Sequence, residues 1–129
     1  MNIEDSPRRD FLKLVGELAW GEMARDFVAI QAVGGTGALR LGCDFLYASG
    51  AKRAVLPAPC WPNHPAIVRA ARLEPVEIPF FDLEAQRINL ESLIGDLNRA
   101  ERGDAIIIQA CCHNPLGADF SLPQWQTLA

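Results

Sequence analysis

Several things are scarce in this sequence. Basic residues do not predominate: 12 Lys and Arg face 16 Asp and Glu, for a formal net charge of −4 with the signs mixed along the chain. A general nucleic-acid binder is normally basic, so no nucleic-acid partner is expected. The pair Arg8-Arg9 is too short for a basic arm and reads as a solvated face. No apolar run approaches the roughly 20 residues of a membrane span, so no membrane partner is expected either. The opening "MNIEDSPRRD" is polar and partly acidic, unlike a secretory signal, and a cytoplasmic protein is expected. Cys43, Cys60, Cys111 and Cys112 form no CxxC and no disulfide framework. They read as reduced thiols, mostly small buried hydrophobes. Repeats and low-complexity linkers are also lacking.

What remains is one domain's worth of globular chain, 50% hydrophobic. Ser6 and Pro7 mark an N-cap and first helical position, and Phe11, Leu14, Val15 and Leu18 recur at helical spacing. "FVAIQAV", residues 27–33, is a continuous apolar run of strand length. A helical pattern follows through Leu39, Cys43 and Leu46 and stops at Gly50. "AVLP" (54–57) predicts a short strand, and "PNHPAIVRAARL" a helix over its later part, with Pro65 at a first helical position. "EPVEIPFF" predicts a strand. Asn89 predicts a cap for a helix whose face is Leu90, Leu93, Ile94 and Leu97, and Gly103 falls after its end. "DAIIIQACC" suits a buried strand of a parallel sheet, and Ser121 with Gln124 forms a capping-box pair opening a last helix. Strands alternating with helices predict an α/β fold with a largely parallel sheet flanked by helices.

Ligands of such sheets bind beyond the carboxyl ends of the strands, and the unusual residues fall there. "GGTG" follows the first expected strand, "PCWPNH" the second and "CHNPLG" the last. In the first loop, backbone N–H groups at a helix start and the Thr36 hydroxyl can hold a phosphate, with Gly34 and Gly35 allowing close approach. A tight turn is the plainer reading. No Lys-Ser/Thr follows, which excludes a Walker A loop, and Arg40 stands where a dinucleotide fingerprint needs its third glycine. Trp61 can stack on a flat ring or close over the core. His64 can hydrogen-bond a cofactor or a carboxylate behind it, or be structural. Asn114, extended before Pro115, can donate to a ligand oxygen or cap the turn. Cys111, Cys112 and His113 suggest a metal, but neighbours on a strand point to opposite faces, so both cysteines can hardly ligate one ion. No other Cys/His cluster has metal spacing, and no metal is expected.

Taken in order, "GGTGALRLGCDFL", "PAPCWPNHPAI", "IPFFD" and "QACCHNPLGADFSLPQW" resemble the class I pyridoxal-phosphate-dependent aminotransferases, the aspartate and aromatic amino-acid group. The resemblance runs from about residue 7 to the last residue and covers about a third of a family member. It implies that residues 1–129 are part of a fold type I large domain, without its C-terminal half or the small domain. It implies pyridoxal 5'-phosphate as cofactor, amino acid and 2-oxo acid substrates, and a homodimeric parent. Gly35 and Thr36, with Gly34 beside them, match the turn that receives the cofactor phosphate. Trp61 matches the aromatic that stacks on the pyridine ring and borders the substrate carboxylate. Asn114 matches the amide that binds the ring's phenolic oxygen and helps hold that carboxylate. His64 matches a histidine behind the acid that pairs the pyridinium nitrogen. Leu116 departs from the usual Thr of "HNPTG", which puts the detail of that turn in question, and Cys60 stands where Ser is common.

The family's Schiff-base lysine, its pyridinium-pairing acid and its carboxylate-clamping arginine match nothing here. The only lysines are Lys13, in the opening helix, and Lys52, ahead of the second strand. The expectation is an internal fragment with part of a cofactor pocket, no catalytic residue of its own and no transaminase activity alone. A non-enzymatic α/β phosphate-binding or interaction module is the alternative. The family's sheet order also places absent strands between the strand before "GGTG" and the others, so exposed apolar edges are expected.

Overall fold

The computed structural model describes residues 7–129, in two compact units, one ending at Ala38 and one spanning Leu39–Ala129. In the first unit α1 is Pro7–Trp20, followed by a 3-10 helix, Gly21–Asp26. The expected Ser6 cap lies outside the described residues. The two pieces meet closely: a Cβ on Gly16 would stand 3.4 Å from the Ala24 side chain, and Trp20 packs edge-on against Phe27 at 5.7 Å. The α1 stripe forms as expected but is left uncovered, with Phe11, Leu14, Val15 and Leu18 between 42% and 89% exposed.

The expected strand at 27–33 is not one. The segment lies outside any sheet, with Val28, Ile30 and Val33 each more than three-quarters exposed. A strand exists only through a neighbour's N–H and C=O groups, and no described segment pairs with this one. Its apolar residues are those of a strand buried on both faces, and here neither face is covered.

Helix α2, Gly34–Ala48, opens at Gly34 and ends before Gly50, which takes φ +102°. Gly50 N–H donates to Tyr47 O at 3.0 Å and Ala51 N–H to Leu46 O at 3.0 Å, a glycine-terminated helix end as expected.

In the second unit a parallel sheet runs in the order β2-β1-β5, from β1 (Arg53–Ala58), β2 (Glu74–Pro79) and β5 (Ala105–Ile106). Register pairs Val55 with Val76 on one side and with Ile106 on the other. Alternation along β1 divides the core. Ala54 and Leu56 face Cys43, Ile67, Val68, Ala71 and Leu73, while Val55 faces Ile78, Phe80, Leu93 and Phe120. Helix α3 (Asn63–Ala70) therefore covers one face, and α4 (Leu90–Leu97) with α5 (Leu122–Leu128) the other. Ala54 to Pro57 are all buried, as befits the central strand.

Three details correct the sequence expectations. Helix α3 starts at Asn63 rather than Pro65, since a proline within the first turn forfeits an N–H that has no helical partner anyway. The apolar run 74–81 breaks at Phe80, and Phe81–Asp82 (β3) pairs instead with Arg87–Ile88 (β4) in an antiparallel hairpin. The long strand expected at 104–112 shrinks to Ala105–Ile106, because among the described segments only β1 pairs with it. Both caps form: Asn89 Oδ1 accepts from Ser92 N–H at 3.0 Å, and Gln124 Oε1 from Ser121 N–H at 2.8 Å.

At the amino end of the sheet Arg53 grips Asp104 with two bonds, Nε–Oδ1 at 2.9 Å and Nη2–Oδ2 at 2.6 Å. Asp104 also accepts from Glu101 N–H at 2.8 Å, so it ties the start of β5 to the start of β1. The guanidinium hydrogen bond holds the Asp104 carboxyl below its usual range. A carboxyl depressed in the fold stabilises above its unfolded pKa, about 3.9, and that contribution is lost as pH falls through the folded value. Asp104→Asn should therefore lower Tm at neutral pH and narrow its gap to the parent in strongly acidic buffer. A gap independent of pH would show that the ion pair does not stabilise the fold.

Candidate functional site

Strands β1 and β5 are adjacent and parallel, so their carboxyl ends open on one edge of the sheet. Beyond β1 the chain runs Pro59-Cys60-Trp61-Pro62 into α3. Trp61 is half-buried, partly packed on the core, and its ring stands edge-on to His64 at 5.4 Å and 89°. His64, in the first turn of α3, is buried, and its N–H donates to Trp61 O at 2.9 Å. Burial, reinforced by nearby His113, pushes the His64 pKa below its ordinary value, so the ring is neutral near pH 7.

Beyond β5, Ile107 N–H still donates to Val55 O at 3.0 Å, and the chain then bends through residues 110–112. Cys111 and Cys112 are both exposed in this bend, with Cys112 at φ +48° and its N–H on Asp119 Oδ1. The reasoning that set them on opposite faces of a strand does not hold, because no strand reaches them. Nor are the cysteines mostly buried: Cys43 is, and Cys60 is half-buried. The described residues assemble no group of three or more metal-ligating side chains.

A tight turn follows. His113 N–H donates to Ala118 O at 3.1 Å, and Gly117 N–H to His113 O at 2.7 Å, with Gly117 at φ +65°. The Gln109 side chain clasps the Asn114 backbone, accepting from its N–H at 3.2 Å and donating to its carbonyl at 3.3 Å. The Asn114 side-chain amide is exposed and has no hydrogen-bond partner among the described residues. The Ala58-Pro59 and Asn114-Pro115 peptide bonds are both cis. Leu116, the departure from Thr, turns onto the core cluster around Phe80 and Phe120, and the turn closes through backbone bonds that need no Thr hydroxyl.

Trp61, His64 and Asn114 thus lie at the carboxyl ends of neighbouring strands. Gly34, Gly35 and Thr36 form the first turn of α2, in the unit that ends at Ala38. Gly34 takes φ +67°, and a Cβ on Gly34 or Gly35 would meet nothing within 4 Å. The first turn of this 15-residue helix carries no acidic residue, so its free N–H groups and dipole suit an anion. Sequence reasoning missed two residues. Gln109 is recognisable only once the turn is folded, and His113 was weighed only as a metal ligand.

The family model described as "Aminotransferase class I and II" matches residues 8–129. The aspartate aminotransferase of Escherichia coli is 45% identical over 100 residues, covering 77% of this chain and 25% of that protein. The tyrosine aminotransferase of Rhizobium meliloti is 40% identical over 121 residues, 92% of this chain and 31% of its own length. Among solved structures, the aromatic-amino-acid aminotransferase of Burkholderia pseudomallei, covalently bound to pyridoxal phosphate, superposes with a TM-score of 0.85 at 32% identity, over 93% of this chain and 32% of that one. The chain therefore spans about a third or less of the length of these relatives.

Proposed function

The chain belongs to the class I and II aminotransferases, and from that membership we propose that residues 1–129 are part of a cofactor-binding large domain. In a complete parent this domain serves amino-group transfer between an amino acid and a 2-oxo acid, in a cytoplasmic homodimer. Gly34, Gly35 and Thr36 receive the phosphate of pyridoxal phosphate on the first turn of α2. Trp61 covers the ring and borders the substrate carboxylate. Asn114 donates its amide to the ring's phenolic oxygen and helps to bind that carboxylate. His64, buried and neutral, orients the acid that pairs the ring nitrogen. When bound, the cofactor withdraws electrons from the substrate's α-carbon. The residues of this chain supply binding and orientation.

The observation that supports the reading best is Asn114. Its backbone is clasped on both sides by Gln109, and its side-chain amide is left unpartnered at the end of β5, beside the strand that leads to Trp61. A fixed backbone with an idle amide is what holding a ligand oxygen requires.

A chimera tests it. The matching segment of the Escherichia coli relative is replaced by residues of this chain, and steady-state transamination is measured. The chimera should turn over, and Asn114→Ala in it should lower kcat/KM about tenfold, the size of one lost hydrogen bond near 1.4 kcal/mol. A soluble, folded chimera with no turnover would sink the reading.

A further inference from the structure

Building on that reading, we propose that His113 is a positioning residue, a latch that sets where Trp61 and Asn114 stand relative to each other. His113 immediately precedes Asn114 and is 3% exposed. Its Nε2 lies 3.0 Å from the carbonyl of Pro59, 54 positions earlier and two residues before Trp61. The bond therefore joins the loop after β1 to the turn after β5. It does so beyond the last backbone bond between those strands, Ile107 N–H to Val55 O. Past that point no strand ladder keeps the two segments in register, and the imidazole takes over that task.

The chemistry of the bond is defined by its partners. A carbonyl oxygen only accepts, so Nε2 carries the proton and donates. Nδ1 is buried without a hydrogen-bond partner, so the ring's one hydrogen bond is the bond from Nε2 to the Pro59 carbonyl. The ring plane is fixed by Phe80, whose centroid lies 4.4 Å away at a 52° tilt. The His113 backbone is committed at both ends to the turn, through Ala118 O and Gly117 N–H. Pro59 has no N–H and its carbonyl lies past the end of β1, so it is free to accept from the ring. Every part of His113 is thus held, and its one outgoing bond crosses to the Trp61 loop. An unclosed latch leaves two ligand-facing groups on independently moving loops, and misplacement of about 1 Å is costly at such sites.

The test uses the whole chain labelled with 15N. Long-range correlation of the His113 ring should show a proton on Nε2; a proton on Nδ1 alone would overturn the proposal without any variant. His113→Phe keeps a ring against Phe80 and removes the donor, whereas His113→Gln places an amide N–H near the position of Nε2. In His113→Phe the Trp61 indole N–H and the Asn114 side-chain NH2 signals should both shift, and in His113→Gln both should return toward the parent positions. If the Phe variant moves Asn114 but leaves Trp61 in place, or if Gln restores neither, the residue does not couple the loops. Should the Phe variant fail to fold, the tautomer and the Gln variant still decide. These readouts need no cofactor, so they stand apart from the chimera, whose failure would sink the functional reading and leave the latch intact.

Discussion

Phe80→Ala should destabilise the second unit by about 3–5 kcal/mol, the usual cost of deleting a fully buried aromatic ring. Phe80 is completely buried at the point where β2 gives way to the hairpin. Its N–H donates to Ala58 O at 3.4 Å and its carbonyl accepts from Asn89 N–H at 2.8 Å, which fixes the backbone. Its ring packs on Phe120 at 6.1 Å, Phe81 at 6.2 Å and His113 at 4.4 Å. With so many rigid neighbours the cavity cannot collapse, which places the cost high in the range. Small domains have only about 5–15 kcal/mol of stability in total, so a large share is removed. Urea unfolding followed by circular dichroism should show a lower midpoint with little change of slope, and Phe80→Leu should recover most of the loss. A loss below about 1 kcal/mol would mean that the ring is not a core element.

The residue links stability to the site. Phe80 backs His113, and His113 holds the turn that carries Asn114. Loss of the ring therefore loosens a candidate ligand group through one intervening side chain. Binding defects in such a variant would follow from packing, because the Phe80 ring is fully buried and open to no ligand.

What was legible in the sequence follows how local each signal is. Asn89, the Ser121–Gln124 pair and Gly50 act on backbone groups within a few residues, and each does in the structure what its type suggests. The fold class was legible because alternation of strands and helices is a pattern of the whole chain. Residues 27–33 and 107–112 carry strand-like composition and form no strand, because pairing depends on a neighbour that local pattern cannot report. The same gap misplaced Cys111 and Cys112. Asn114 was visible through its motif and Trp61 through its setting between prolines. The bond that joins their loops was not, since it spans 54 positions and ends on a backbone carbonyl, which has no sequence signature.

The second large effect expected is an absence: the chain as it stands should show no transaminase turnover with any amino acid and 2-oxo acid pair, with pyridoxal phosphate in excess. Transamination through this cofactor uses a lysine amine that bonds to the cofactor and then relays the proton. Two lysines are available. Lys52 sits at the amino end of β1, its Nζ 5.6 Å from the centroid of the Tyr47 ring. The six residues of β1 separate it from the edge that carries Trp61, a span of about 20 Å at about 3.3 Å per residue. A lysine side chain reaches about 6 Å, so the amine cannot arrive unless the strand is undone. Lys13 lies midway along α1, in the other compact unit, on a helix whose apolar stripe is uncovered. Lys52→Ala and Lys13→Ala should therefore each remove no more than the weak absorbance that one surface amine gives with pyridoxal phosphate, and neither should change turnover, which stays absent. Turnover by the purified chain that disappears on replacing either lysine would overturn this expectation and place the catalytic amine within these 129 residues.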